Sequence, residues 1–206
     1  NYIGMPSSSV LESVMYLYNR TRQDKYLDFA KYIVKQWETP EGPRLISKAI
    51  ADIPVAGRFP HPKVWFSPEN GQKAYEMMSC YEGLLELYKV TKSPLYLSVV
   101  EKTMNHIINE EINVAGSGSA FECWYGGKAL QTYPTYHTME TCVTFTWMQI
   151  CDRMLGLTGN SLYADQIEKA MYNALLASLK ADASQIAKYS PLEGWRHEGE
   201  EQCGMH

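Results

Sequence analysis

Apolar residues recur along much of the chain at the three-to-four spacing of helices that bury one face. Between Val10 and Tyr18 they occupy positions 10, 11, 14, 15, 17 and 18, which predicts a helix with a broad buried side. A polar turn follows from Thr21 to Asp24. Tyr26 to Trp37 then resumes helical spacing, with Phe29, Ile33, Val34 and Trp37 on one side. Pro6 is expected to block helix upstream of this hairpin, and Ser7, Ser8 and Ser9 offer hydroxyls for its N-cap. Thr39-Pro40-Glu41-Gly42-Pro43 ends its second helix, because the residue before a proline is driven out of the helical region.

The same signature returns twice. Leu17-Tyr18-Asn19-Arg20-Thr21, followed by Tyr26-Leu27, resembles Leu87-Tyr88-Lys89-Val90-Thr91, followed by Tyr96-Leu97. Met154-Leu155-Gly156-Leu157-Thr158, followed by Tyr163-Ala164, is a looser third copy. In each, Thr precedes Tyr by five residues, and the Thr positions lie 70 and 67 residues apart. Repetition of this kind predicts stacked helical hairpins. The second hairpin is expected from Ala74 to Tyr88 and from Leu95 to about Glu110, with Pro94 at a first helical position. The third is expected from Thr141 to Leu157 and from Leu162 to Leu179, with Gly159 at a left-handed helix end.

Long irregular connections separate the hairpins. Residues 40–70 carry six prolines and are expected to lack regular structure. Residues 113–138 are rich in Gly, Ser and aromatics, the composition of a functional loop. The C-terminal stretch leaves room for a strand or two around Ile186 to Tyr189. The fold class is therefore all-α, with hairpins arranged around an axis. A closed (α/α)6 toroid needs six hairpins, whereas this length holds about three. Apolar helix faces at the open edges would then be covered by the missing remainder of the chain or by another copy.

Composition narrows the partners. Nineteen basic against 23 acidic residues leave a charge of −4, with no basic surplus for a phosphate backbone, so nucleic acid is not expected. No apolar run approaches the ~18 residues needed to cross a bilayer, so no membrane span is expected. Fifteen Tyr and five Trp suit the flat faces of sugar rings, and equally suit a core. The chain begins at Asn1 and stops within Gln202-Cys203-Gly204-Met205-His206, so a fragment of a longer protein is expected, with its compartment, periplasm or cytoplasm, left open.

Five cysteines at irregular spacing are not a disulfide framework. Cys80 and Cys151 fall in apolar helical patterns and read as buried thiols. Cys123, Cys142 and Cys203 have polar, Gly-rich or Glu-flanked neighbours and are the candidates for metal or nucleophile chemistry.

Two stretches carry the strongest chemical signals. In Gly116-Ser117-Gly118-Ser119-Ala120-Phe121-Glu122-Cys123-Trp124, small residues let backbone approach a ligand, and Glu122 lies between aromatics. Partial desolvation there would suit a general acid; the plainer reading is a surface glutamate. In His137-Thr138-Met139-Glu140-Thr141-Cys142, a carboxylate and a thiolate two residues apart at a helix start can reach one Zn²⁺. His137, Cys203 and His206 are the candidates to complete that site, and the plainer reading is a first-turn Glu with a buried Cys. His106 reads as structural, and His61 and His197 as loop residues. No phosphate loop, dinucleotide fingerprint or nucleophile elbow is present.

The pattern Gly-Ser-Gly-Ser-x-x-Glu122, then Glu140-Thr141-Cys142, then Tyr189-Ser190-Pro191-Leu192-Glu193 resembles glycoside hydrolase family 127 and its relative family 146. Gly83-Leu84-Leu85-Glu86-Leu87-Tyr88-x-x-Thr91 fits as well. The resemblance implies that residues 1–206 are part of an (α/α)6 catalytic domain, normally accompanied by β-sandwich domains. It implies a bacterial enzyme acting on plant-type glycans that cleaves β-L-arabinofuranosidic bonds with retention, through a zinc-held cysteine thiolate and a separate glutamate. Carried over, Glu122 is the acid/base and Glu140 and Cys142 are zinc ligands. Trp124, His137, Tyr189 and Cys203 are the further candidates for neighbours of substrate or metal. The family's adjacent Cys-Cys pair, one of them the nucleophile, is expected beyond His206, so the fragment alone is expected to be inactive. Lys73 stands where the family often has a substrate-contacting His. Two other readings stay open: a zinc-free carbohydrate-active toroid, and a non-catalytic helical module that binds glycan or protein.

Overall fold

A computed structural model describes residues 5–59, 73–131 and 137–193. The chain divides into two compact units, residues 1–107 and 108–206. Regular secondary structure among the described residues is helical, supplemented by isolated β-bridges. The expected all-α class is therefore observed.

In the first unit, α1 (Met5–Ser8) leads into the hairpin of α2 (Leu11–Thr21) and α3 (Asp24–Trp37). After α4 (Leu45–Ile50), the second hairpin pairs α5 (Ala74–Thr91) with α6 (Pro94–His106). Helix α5 is buried nearly all round, including Met77, Met78, Tyr81, Leu84, Leu85 and Leu87, and it packs on α2 and α6. Each such large apolar side chain stabilises the unit by roughly 1.5–3 kcal/mol relative to exposure. Buried Arg58 donates from Nε to the Ile53 carbonyl at 2.9 Å and from Nη1 to the Thr103 hydroxyl at 3.1 Å. His106 lies between Arg58 (3.5 Å) and Asp52 (3.2 Å), in the structural role expected of it.

A π-helical segment with wider turns, Ile107–Glu111, follows α6 in sequence, and the second unit begins within it at residue 108. It holds α7 (Thr141–Thr158) and α8 (Ser161–Lys169), which runs on through π-helical Ala170–Leu175 to a last turn, Leu176–Ser178. Trp147, Ile150, Cys151 and Met154 on α7 form the core of this unit.

The three corners show what the repeated Thr does. Thr21, Thr91 and Thr158 each donate to the carbonyl four residues back, at 2.7, 2.9 and 2.7 Å. Each hydroxyl also accepts the amide two residues on, at 3.4, 3.4 and 3.2 Å. The residue between, Arg22, Lys92 or Gly159, turns left-handed at φ 56°, 56° and 67° and ends the helix. Glycine adopts that conformation freely, whereas Arg22 and Lys92 place their cations 5.7 and 5.9 Å from the rings of Tyr18 and Tyr88. The repeated Tyr26, Tyr96 and Tyr163 then donate their amides three residues back, at 3.1, 3.1 and 3.2 Å, opening the next helix.

Three local expectations are corrected. Residues 40–59 are not wholly irregular: α4 forms between Pro43 and Pro54, because the Glu38 carboxylate accepts the amides of Ile46 and Ser47 at 2.8 and 3.0 Å. The N-cap residue of α2 is Val10 and not a serine, Pro6 sits inside α1, and the Ser8 hydroxyl turns back to the Met5 carbonyl. Around Ile186–Tyr189 no strand forms among the described residues, only single bridges from Leu179 to Ile186 and from Glu140 to Tyr189. His61, His197, Cys203 and His206 lie outside the described residues.

Candidate active site

Glu122 stands at the tip of a two-residue turn. Ala120 and Cys123 exchange both backbone hydrogen bonds at 2.9 Å, leaving Phe121 and Glu122 as the central pair. Both have positive φ, 48° and 69°, the signature of a primed hairpin turn that ordinarily calls for Asn-Gly. Ser119, His137 and Met139 are also left-handed, at 74°, 57° and 52°. Each such residue costs of order 1–3 kcal/mol, and clusters of them mark sites where geometry is held against strain.

Three extended segments hold this tip. The Phe121 amide donates to the His137 carbonyl at 2.8 Å, and the Met139 amide to the Ser119 carbonyl at 3.1 Å. On its other side, residues 138–141 meet residues 187–190: Thr141 N–H donates to the Lys188 carbonyl at 2.8 Å, and Ser190 N–H to the Thr138 carbonyl at 3.0 Å. The Thr141 hydroxyl donates to the Ala187 carbonyl at 2.6 Å. Sequence-distant pieces thus converge on the start of α7.

The charge pair at the centre is Lys188 with Glu122, Nζ to Oε1 at 2.9 Å, both side chains 29% exposed. Burial pulls the Lys188 ammonium down, but bonding to Glu122 and Tyr189 outweighs it and holds the group above its ordinary range. Burial pushes the Tyr189 phenol up to about 12, against the opposing bond from Lys188. Near neutral pH the site therefore holds a fixed cation and a neutral phenol. The His137 ring lies between Phe121 and Tyr189, with centroids 4.9 and 4.8 Å away. Trp124 is buried, its ring wedged beneath the loop near Gly118.

Glu140 is the N-cap residue of α7, yet its side chain does not cap that helix. Glu140 is buried and Cys142 partly exposed. Their place at a helix N-terminus favours anionic donors, and Thr141 between them is committed to Ala187. This donor set fits two of the four ligands that zinc takes. Among the described residues no three His, Cys, Asp or Glu side chains gather to hold a metal, so His137 does not join Glu140 and Cys142 there. Cys123 is buried in the turn. Met139 and Ser190 line an open groove of about 690 Å³ with Tyr172 and Asn173, a groove whose lining includes none of Glu122, Glu140 and Cys142.

Two residues of this site are not visible from sequence. Lys188 pairs with Glu122 across 66 positions, and no local pattern announces it. Glu111 is fully buried and accepts the amides of Tyr125, Gly126 and Gly127 at 3.0, 2.9 and 3.2 Å. Burial pushes its carboxyl up from the usual range, opposed by those three amides. The Gly126-Gly127 pair was the available signal, since adjacent glycines mark close backbone approach.

Comparison with known proteins identifies the family. The profile of the β-L-arabinofuranosidase, GH127 catalytic domain matches residues 3–203, and the chain belongs to this family. Among solved structures, a GH127 β-arabinofuranosidase is similar at 18% identity and TM-score 0.60, over 89% of this chain and 27% of that one. A GH127 β-L-arabinofuranosidase from Geobacillus stearothermophilus T6 is similar at 15% identity and TM-score 0.63, over 90% and 31%. A further glycoside hydrolase is similar at 19% identity and TM-score 0.63, over 90% and 32%. These likenesses show the fold, and the chain spans at most about a third of those structures. A search of curated protein sequences finds no match.

Proposed function

We propose that this chain supplies the acid/base and half the metal ligands of a retaining β-L-arabinofuranosidase acting on plant-type glycans. The observation that carries the reading is the presentation of Glu122. A strained turn holds it at a loop tip, and its partner Lys188 is bonded through its own backbone to the start of α7, where Glu140 and Cys142 lie.

In the first step a cysteine thiolate of the rest of the protein would take the anomeric carbon as the glycosidic bond breaks, and the protonated Glu122 gives its proton to the leaving oxygen. In the second, the Glu122 carboxylate takes a proton from water as that water displaces the sulfur and releases the sugar. Lys188 Nζ lies 2.9 Å from Oε1, a contact that suits the carboxylate of the second step. A partly exposed ion pair contributes no more than about 1 kcal/mol, so the backbone bonds of the turn, rather than this pair, fix its place. Zinc would be held by Glu140, Cys142 and two cysteines of the rest of the protein, and when bound it would keep the nucleophilic sulfur deprotonated. On this reading the 206-residue chain has no activity by itself.

The test is Glu122→Gln in the complete enzyme. Turnover on an unactivated β-L-arabinofuranoside should fall by on the order of 10²–10⁴-fold. Turnover close to that of the parent would remove Glu122 from the mechanism.

A further inference from the structure

We propose that Glu111 is a positioning residue for the acid/base: its buried carboxylate clasps the loop that presents Glu122 and sets where that glutamate meets the substrate. This rests on the reading of Glu122 given above. Glu111 touches no reacting atom and would act through the backbone.

The clasp is built from three successive amides. Oε2 accepts from Tyr125 at 3.0 Å, Gly126 at 2.9 Å and Gly127 at 3.2 Å, while Oε1 accepts from Gly126 at 3.1 Å. The amide of Lys128 adds a bond to the neighbouring Glu110 carbonyl at 3.0 Å. Both stems of the Glu122 hairpin also press on the backbone of Glu111. A Cβ at Gly118, on the incoming stem, would lie 2.9 Å from the Glu111 carbonyl oxygen. A Cβ at Gly127, on the outgoing stem, would lie 2.9 Å from the same oxygen and 2.7 Å from the Tyr125 ring. The strained tip of residues 119–124 is suspended between these two points.

A buried carboxylate is an expensive way to fill a core, because it must be taken out of water. An apolar side chain would fill the space at lower cost but would leave three amides without an acceptor. The arrangement makes sense where the course of the loop matters more than local stability. The alternative anchor, the partly exposed Lys188–Glu122 pair, is too weak to hold a strained turn.

The experiment compares two substrates in the complete enzyme: an aryl arabinofuranoside with an acidic leaving phenol, and an alkyl arabinofuranoside. Only the alkyl leaving group needs a proton, so kcat/KM on the pair isolates acid catalysis from folding. Glu122→Gln is the reference, expected to lose activity on the alkyl substrate and to keep it on the aryl one. Glu111→Gln keeps the side-chain volume but turns an amide group toward the amides. It should lose about 10- to 100-fold on the alkyl substrate, as expected of a displacement near 1 Å, with less than about 3-fold loss on the aryl substrate. If Glu111→Gln loses its circular-dichroism signal, Gly127→Ala tests the same clasp from the other side and should show the same split. An equal loss on both substrates, or no loss, overturns the positioning role. Should Glu122→Gln itself show no split, the acid/base reading fails instead, and the two failures are told apart.

Discussion

Glu122 shows how much one residue discloses by type and how little by partner. Its glycine-serine and aromatic neighbours marked it as a candidate, and the acid–thiol spacing did the same for Glu140 and Cys142. What the sequence does not carry is the charge facing it, since Lys188 comes from a separate segment. The pair gives a prediction of its own. Lys188 has a folded-state pKa above its unfolded value, so its stabilising contribution is fully present below about 10.5 and is lost only as pH rises through the raised value. Lys188→Met should therefore lower stability by at most about 1 kcal/mol, and titration of Lys188 itself should add no pH dependence to that loss between pH 5 and 9. Denaturant titrations at both pH values check this. A loss seen at pH 5 and absent at pH 9 would show that Lys188 titrates where it should not.

At the scale of elements, the hairpins were legible because their corners repeat a physical device and not merely a word. A Thr hydroxyl closes each helix, a left-handed residue turns the chain, and a Tyr amide opens the next helix. Thr91→Ala removes one such closure and should cost about 1 kcal/mol. Gly159→Ala meets no atom within 4 Å, so its cost, also about 1 kcal/mol, is the conformational penalty of φ 67° alone. Thermal melts of both variants check these figures. Helix α4 escaped notice because proline content hid a six-residue helix that needs Glu38, from outside its own pattern, to close its end. The π-helical segments escaped because one wider turn scarcely changes an apolar spacing.

For the whole molecule, motif resemblance reached further than patterning. Periodicity yields hairpins that many helical folds share, whereas Glu122, Glu140-Thr141-Cys142 and Tyr189 together pointed to the family that the profile match establishes. The zinc proposal is tested on the complete protein by cysteine alkylation and mass spectrometry. Cys80 and Cys151 are buried, and burial pushes the Cys80 thiol up to about 12 and Cys151 higher still. Both should resist alkylation at pH 8 with or without a chelator. Cys142, partly exposed, should be protected by metal and become reactive when the metal is stripped. Reactivity of Cys142 that ignores the chelator would withdraw it from the ligand set.

The left-handed tip at Phe121 and Glu122 has a consequence for anyone breeding this protein for heat tolerance. Asn-Gly in those two positions would relieve strain of order 1–3 kcal/mol per residue, so a screen that scores survival after heating rewards it. The same exchange deletes the proposed proton donor. Selection for durability, left without a counter-selection for turnover, would drift toward a sturdier and silent protein.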